Sequence, residues 1–168
     1  RLQGKEIQRP GMIRKAVVPD VEKLHKLINH FAGKDLMLPR SLREIYENIR
    51  DYFVYIDGGE IIGCAALHVF WKDLSELKSL AVQEAHQKKG IGGELVRECI
   101  QEAKSLGVER LFVLTYQPEF FQHRSFRLVE KESLPHKIWT ECIRCPKFPD
   151  CNEVPLILDI PTSSAFQE

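Results

Sequence analysis

An apolar strand, a glycine-rich turn and an amphipathic helix follow one another in the middle of this chain and decide its fold. The strand is Leu77-Lys78-Ser79-Leu80-Ala81-Val82, and the turn is Gln87-Lys88-Lys89-Gly90-Ile91-Gly92. Apolar residues then recur at helical spacing from Leu95 to Leu106. Gly107 stands where a helix C-terminus favours a residue at positive φ. The stretch therefore predicts a buried strand that feeds a helix through a tight turn.

The turn has the features of an anion-binding site. The first amide groups of a helix lack partners within the helix, and the helix dipole places partial positive charge beside them. Gly90 and Gly92 leave no side chain between the backbone and a ligand, and Lys88 and Lys89 add positive charge at the rim. We expect a diphosphate group here. A glycine-rich helix start without a ligand is the alternative, and the spacing matches neither GxGxxG nor Walker A.

The strand and turn together resemble the signature of the GNAT acetyltransferases, Gln/Arg-x-x-Gly-x-Gly/Ala after a strand that ends in Leu-Ala-Val. The predicted element order also resembles that family: a strand, two helices, three strands, a helix, a strand, a short helix and two strands. The resemblance implies an α/β fold with a mixed central β-sheet flanked by helices on both faces. It also implies acetyl-CoA as co-substrate, bound by Leu80, Ala81, Val82, Gln87, Lys88, Lys89, Gly90, Ile91, Gly92 and Gly93.

Length and charge set further limits. The 168 residues suit one domain, and we place it at 12–160, between an N-terminal extension at 1–11 and a flexible tail at 161–168. Lysine plus arginine equals aspartate plus glutamate at 24 each, which argues against a nucleic-acid partner. No apolar run reaches the roughly 20 residues that cross a bilayer, and residues 1–11 lack the apolar core of a signal peptide. We expect a cytoplasmic protein with no membrane partner.

The five cysteines are an odd number and fit a reducing compartment better than a disulfide framework. Cys64 and Cys99 fall in apolar periodic segments and are predicted core residues. The remaining three lie in a proline-rich irregular segment: Cys142, Cys145 and Cys151. Zinc, with His136 as a fourth ligand, stays an alternative there. We favour reduced thiols and no metal, because structural zinc sites usually draw on two close cysteine pairs and only one is present.

Glu76 is the predicted general base. Acetyl transfer to an amine needs a base, donors for the oxyanion and a proton for the departing thiolate. Glu76 resembles the catalytic glutamate of GNAT enzymes in position, and we expect it to act through a water. The alternative is an exposed strand-edge glutamate paired with Lys72 or Lys78. On an unbroken strand it would share a face with Lys78, Leu80 and Val82. The resemblance implies that this strand splays from its neighbour and frees a backbone N–H near Leu80 for the oxyanion.

The general acid stays unassigned. Many GNAT enzymes carry Phe-Tyr-x-x-x-Gly-Phe after the fifth strand, with the tyrosine facing the CoA sulfur. The matching run here is Phe120-Phe121-Gln122-His123-Arg124-Ser125-Phe126, so Phe121 has no hydroxyl and Ser125 replaces the glycine. Tyr116 is an alternative donor, although packing at a strand end is the favoured role. A thiol with a pKa of about 8.5 also leaves without a dedicated acid.

Three further stretches resemble the N-acetylglutamate synthases: Leu38-Pro39-Arg40-Ser41, the connection Thr115 to Phe121, and Leu134 to Trp139 with the cysteine segment after it. This resemblance implies an acidic amino acid as acceptor, L-glutamate for arginine synthesis, with arginines on its two carboxylates. Arg40 is the leading candidate. Lys78 and Arg124 are weaker ones, since a lone cation is more often a solvated surface charge.

Two other functions remain open at this point. One is a GNAT enzyme that acts on a different amine, such as another amino acid or a protein terminus. The other is a domain that senses acyl-CoA without catalysis, which the missing tyrosine favours. The sequence reports neither feedback by arginine nor the oligomeric state, so a homo-oligomer also stays open.

Overall fold

The computed structural model describes residues 11–135 and 153–161. Its strands are β1 (Met12–Lys15), β2 (Tyr52–Asp57), β3 (Glu60–Trp71), β4 (Leu74–Val82), β5 (Arg110–Thr115), β6 (Arg127–Leu128) and β7 (Val154–Asp159). Its α-helices are α1 (Val21–Ala32), α2 (Leu42–Glu47), α3 (Ile91–Ser105) and α4 (Pro118–Gln122). The candidate zinc ligands His136, Cys142, Cys145 and Cys151 lie outside the described residues, as do most of the expected extension and tail.

The strands form one seven-stranded sheet in the order β1-β2-β3-β4-β5-β7-β6. Among the strands of the described residues, only β4 and β5 pair in parallel, because α3 carries the chain from the end of β4 back to the start of β5. The predicted mixed α/β sheet is confirmed. Within the described residues, no helix has the length and apolar character that a membrane crossing needs.

Helices cover both faces of the sheet, as expected. The α3 face buries Leu67, Leu77, Leu95, Val96, Cys99 and Phe121, and the α1 face buries Leu24, Ile28, Ile45, Val54, Cys64 and Ala66. Ser41 is the N-cap of α2, and its side chain accepts a hydrogen bond from the Glu44 amide at 3.1 Å. Gly58 and Gly59 join β2 to β3 with φ of 58° and 79°, as the predicted hairpin turn requires.

Two predicted elements differ from the structure near the end of β5. The helical turn expected at 120–125 begins earlier, at Pro118, and ends at Gln122. Ser125 then has a φ of 70°, which stops the helix and redirects the chain. The strand expected at 126–131 shrinks to Arg127–Leu128, because only these two residues pair with β7. The first strand likewise ends at Lys15 rather than at Val17.

The sheet opens between β4 and β5, which confirms the expected splay. Pairing covers only Leu74 to Glu76 on β4, matched with Arg110 to Phe112 on β5. Both strands continue past that point, β4 to Val82 and β5 to Thr115. Backbone groups beyond Glu76 that point toward β5 therefore have no ladder partner there. A wedge forms inside the sheet, and the candidate site lies in it.

A β-bulge interrupts β4 next to this opening. Lys78 lies opposite Ala66 and Ala81 lies opposite Cys64, so two β4 residues face one residue of β3. Ser79, inside the bulge, has a φ of 54°. The alternation expected of an unbroken strand therefore fails beyond Lys78, because an extra residue inverts the side-chain faces. Glu76, Lys78 and Ala81 point to the α1 face, and Leu80 packs against the α3 core.

Candidate active site

A cavity of about 600 Å³ occupies the opening between β4 and β5. Its wall includes the turn before α3, the end of β4, Phe120 and Phe121 of α4, and residues between Phe31 and Arg40. Every predicted site residue except Lys89 lines this cavity. The structure therefore brings together residues that are up to 84 positions apart, from Arg40 to Arg124.

The turn presents its backbone to one end of the cavity. Gly90 precedes α3 with a φ of 86°, and Lys88 also lies in the left-handed region, with a φ of 62°. A lysine in that region costs roughly 1–2 kcal/mol, and such strain is characteristic of ligand-binding segments. The Gln87 side chain donates to the Val82 carbonyl at 2.9 Å and closes the turn. Ile91 is buried in the α3 core. These two side chains hold the turn, so its backbone is what faces a ligand.

Glu76 lies at the point where β4 and β5 part. It is 8% exposed and lines the cavity. The alternative of an exposed strand-edge glutamate is wrong, because β4 runs between β3 and β5 and Glu76 is buried. On β3, His68 stands opposite Glu76, and its Nδ1 lies 2.7 Å from Asp51 Oδ2. No local pattern indicates this histidine–aspartate pair, since the two residues are 17 positions apart.

Arg40 reaches the α1 side of the cavity. Its side chain is 14% exposed, and its Nη1 lies 3.5 Å from Glu44 Oε2. Its buried Nε has no hydrogen-bond partner within the part of the chain that the structure describes. Asn29 of α1 holds the Arg40 backbone by accepting from its N–H at 3.2 Å and donating to its carbonyl at 2.8 Å. Sequence reasoning missed Asn29, because an asparagine inside a helix has no distinctive spacing from the loop that it fixes.

The two weaker acceptor candidates lie in different places. Lys78 lines the cavity on the same face as Glu76. Arg124 instead lies on the α3 side, where its guanidinium stacks 3.8 Å from the Phe120 ring centroid. Its Nη1 donates to the Phe120 carbonyl at 2.9 Å. Arg124 is therefore next to the glycine-rich turn and on the opposite face from Arg40.

The bulge is held by buried polar contacts. Tyr52 is 2% exposed and hydrogen-bonds Ser79, and burial raises the pKa of its phenol to about 12. The Cys64 thiol donates to the Ser79 carbonyl at 3.3 Å. Burial also raises the pKa of Cys64 and of Cys99 to about 12, so both are neutral core thiols, as predicted.

The structure leaves the general acid unassigned. Phe121 is 4% exposed and packs edge-to-face with Phe120 and Phe126, so it belongs to the aromatic core. Tyr116 and Thr115 line the cavity at the end of β5. Of the described tyrosines, Tyr116 is the one that lines the cavity.

Comparison with protein families decides the class of this site. Residues 19–131 match the family model described as acetyltransferase (GNAT) family. The chain belongs to the GNAT family. This membership confirms the predicted fold, the predicted transferase class and acetyl-CoA as the co-substrate of this GNAT enzyme.

Individual relatives refine the comparison. This GNAT chain is 38% identical to an uncharacterised N-acetyltransferase of Chlorobaculum tepidum, over 86% of this chain and 94% of that one. It is 34% identical to an amino-acid acetyltransferase of Mycobacterium tuberculosis, over 79% and 78% of the two chains. It is also 34% identical to an amino-acid acetyltransferase of Pasteurella multocida, but spans only 29% of that protein.

Two solved structures share the GNAT fold of this chain. N-acetylglutamate synthase from Neisseria gonorrhoeae, complexed with coenzyme A and N-acetyl-glutamate, superposes with a TM-score of 0.83 at 26% identity, over 92% of this chain and 36% of that one. A Mycobacterium tuberculosis protein in complex with CoA and NLQ superposes with a TM-score of 0.77 at 30% identity, over 89% and 99% of the two chains.

Proposed function

We propose that this GNAT enzyme transfers the acetyl group of acetyl-CoA to the α-amine of an amino acid, L-glutamate above others, as a step of arginine biosynthesis. The observation that carries the proposal is the cavity that joins the glycine-rich turn to Glu76, Arg40 and Lys78. The names of the M. tuberculosis and P. multocida relatives, and the product bound to the neisserial enzyme, support it.

The donor occupies the turn and the opened edge of β4. Backbone amides between residues 88 and 93 bind the CoA diphosphate, favoured by the N-terminus of α3 and by Lys88. The thioester then lies along β4 beyond Glu76, where the ladder to β5 has ended. A backbone N–H near Leu80 stabilises the oxyanion, and it needs no reorganisation because the strand already holds it in place.

The acceptor occupies the α1 side of the cavity. L-Glutamate carries two carboxylates, and Arg40 and Lys78 supply two cations on that side. The Arg40 guanidinium suits bidentate binding of one carboxylate, since its planar fork matches the two oxygens. Its buried Nε, which has no partner among the described residues, is a donor whose hydrogen bond a carboxylate would accept.

The reaction needs few protein groups. Glu76 takes a proton from the acceptor ammonium through a water, and the amine nitrogen attacks the thioester carbonyl carbon. The C–N bond forms as the carbonyl becomes an oxyanion. When the oxyanion collapses, the C–S bond breaks and the nitrogen releases its second proton to solvent, which leaves a neutral amide. The CoA thiolate takes a proton from solvent or from Tyr116, because Phe121 offers none.

A screen of acceptors tests the proposal. Thiol release from acetyl-CoA is measured with L-glutamate, L-glutamine, L-aspartate and other amino acids, and we expect the highest kcat/KM for L-glutamate. Glu76→Gln should lower kcat at least a hundredfold, as loss of a general base does. Glu98→Gln, an exposed change on α3, is the matched control with unchanged rates.

The same screen distinguishes the alternatives. Binding of acetyl-CoA with no acceptor-dependent thiol release would show that the chain is an acyl-CoA sensor and not an enzyme. Turnover confined to amines without a carboxylate would support the enzyme hypothesis but contradict an amino acid as the acceptor.

A further inference from the structure

We infer that Arg124 binds the diphosphate of coenzyme A, and that it does not bind the amino-acid acceptor. The inference rests on the donor site of the proposed function and adds a side-chain ligand to it. It also gives Arg124 a different role from the acceptor contact that the sequence predicted.

The guanidinium is held rigidly beside the turn. It stacks on the Phe120 ring, with 3.8 Å from its carbon to the ring centroid, and Nη1 donates to the Phe120 carbonyl at 2.9 Å. Phe120 itself packs edge-to-face on the buried Phe121 ring. Stacking and one hydrogen bond fix the plane of the guanidinium and leave four of its five N–H donors for other partners.

The guanidinium lies against the first turn of α3. A Cβ placed on Gly93 would stand 2.6 Å from Nη2 and 3.2 Å from Nε of Arg124. A Cβ on Gly92 would stand 3.4 Å from the Phe120 ring. The glycines at 92 and 93 therefore make room for this stacked pair against the helix. Any side chain at 93 would push Arg124 away from the turn.

The electrostatics of this position favour an anion. Arg124 lies beside the positive end of a 15-residue helix, next to a turn that carries Lys88 and Lys89. Like charges gathered there repel one another, and Arg124 forms no ion pair with any carboxylate of residues 11–135 and 153–161. A diphosphate bound to the turn amides would compensate this positive charge and accept hydrogen bonds from the remaining N–H groups of Arg124.

The acceptor side of the cavity lies elsewhere. Arg40 and Lys78 reach the cavity from the α1 face, whereas Arg124 approaches from the α3 face, on which the turn lies. Arg124 would have to leave both Phe120 and its carbonyl to join the other two cations. The stacked geometry therefore assigns it to the donor.

Calorimetry on the whole chain tests the inference with two ligands, CoA and 3′-dephospho-CoA, which retains the diphosphate. We expect Arg124→Ala to weaken the binding of both ligands by roughly tenfold, because charge-assisted hydrogen bonds are lost. Arg124→Lys should weaken their binding less. The defect should shrink at high ionic strength. The KM for L-glutamate should stay unchanged.

Gly93→Ala is the second variant, because it displaces Arg124 while favouring the helix. We expect it to weaken CoA binding with an unchanged or raised Tm, which separates binding from folding. Three outcomes would each overturn the inference. Arg124→Ala could bind CoA as tightly as wild type, or its binding defect could disappear when 3′-dephospho-CoA replaces CoA. It could also raise the KM for L-glutamate without any effect on CoA binding. A wild type that does not bind CoA would overturn the proposed function together with it.

Discussion

Arg40 places a guanidinium against the proposed acceptor end of the cavity, and its buried Nε has no hydrogen-bond partner among residues 11–135 and 153–161. We predict that Arg40→Ala raises the KM for L-glutamate at least tenfold, since charged hydrogen bonds to a carboxylate are lost. The KM for acetyl-CoA should not change. Initial rates with one substrate varied at a time measure both constants.

Arg43 supplies the control for that experiment. It lies three residues further on, its side chain is 86% exposed, and it pairs with Glu47 on the surface of α2. Arg43→Ala should leave both KM values as they are. Equal effects of the two substitutions would show that Arg40 acts through the fold of this segment and not through the acceptor.

Ser125 is a residue with a strained backbone. Its φ of 70° lies in the left-handed region, where the related motif carries glycine. We predict that Ser125→Gly stabilises the protein by about 0.5–1 kcal/mol, because the relieved strain exceeds the added freedom of the unfolded chain. The expected rise in Tm is about 1–4 °C, read by thermal unfolding.

Ser105 is the matched serine, since it ends α3 in ordinary helical conformation. Ser105→Gly should lower the Tm, because glycine disfavours the helix. A fall in Tm for both variants would contradict the strain assigned to Ser125.

Helix α1 positions the acceptor side through one side chain. Asn29 binds the Arg40 backbone at both its N–H and its carbonyl, and also donates to the His25 carbonyl at 2.8 Å. We predict that Asn29→Ala raises the KM for L-glutamate severalfold, because Arg40 is no longer fixed relative to the cavity. Calorimetry should give an unchanged Kd for CoA.

Asn48 tests whether any lost asparagine contact has this effect. Its side chain donates to the Glu44 carbonyl at 2.9 Å at the end of α2, and it does not line the cavity. Asn48→Ala should leave the KM for L-glutamate near its wild-type value. A loss of CoA affinity in Asn29→Ala would mean that the whole fold, and not the loop, had changed.

The β3–β4 pair shows what an element adds to its sequence. The short apolar run before the glycine-rich turn predicted the bounds of β4. The bulge at Ser79 was not predicted, since nothing in the local sequence distinguishes Ser79 from an ordinary strand residue. Tyr52 and Cys64 hold Ser79 from neighbouring strands. A contact among three strands has no counterpart in local spacing, which is why the inverted side-chain faces beyond Lys78 were missed.

At the scale of the molecule, Asp20 ties the first strand to the first helix. It accepts from Arg14 at 2.6 and 3.0 Å and from the Val17 amide at 2.8 Å. The hydrogen bonds from Arg14 lower the pKa of Asp20 in the folded state. The folded protein therefore binds fewer protons than the unfolded chain at acid pH, so this contribution is lost as the pH falls.

We predict that Asp20→Asn lowers the free energy of unfolding by about 1–2 kcal/mol at pH 7, allowing for the partly exposed Arg14. The difference should be complete above the unfolded pKa of about 3.9 and should shrink as the pH falls toward and through the lower pKa of the folded state. Urea unfolding at pH 7 and pH 3 measures it. Asp159→Asn, which breaks an exposed pair with Arg127, should change little at either pH. An equal loss at both pH values would contradict the role of the ionised carboxylate.

Sequence patterns alone predicted the order of elements, the turn before α3, the hairpin at Gly58 and the family. These follow from periodicity and from glycine at positions that need positive φ, and such signals are local. The tertiary structure decided the rest. It places Ser79 in a β-bulge, fixes the Arg40 backbone through Asn29 and stacks Arg124 on Phe120 beside Gly93. Those features depend on contacts across strands, helices and loops, which only the packed chain brings together.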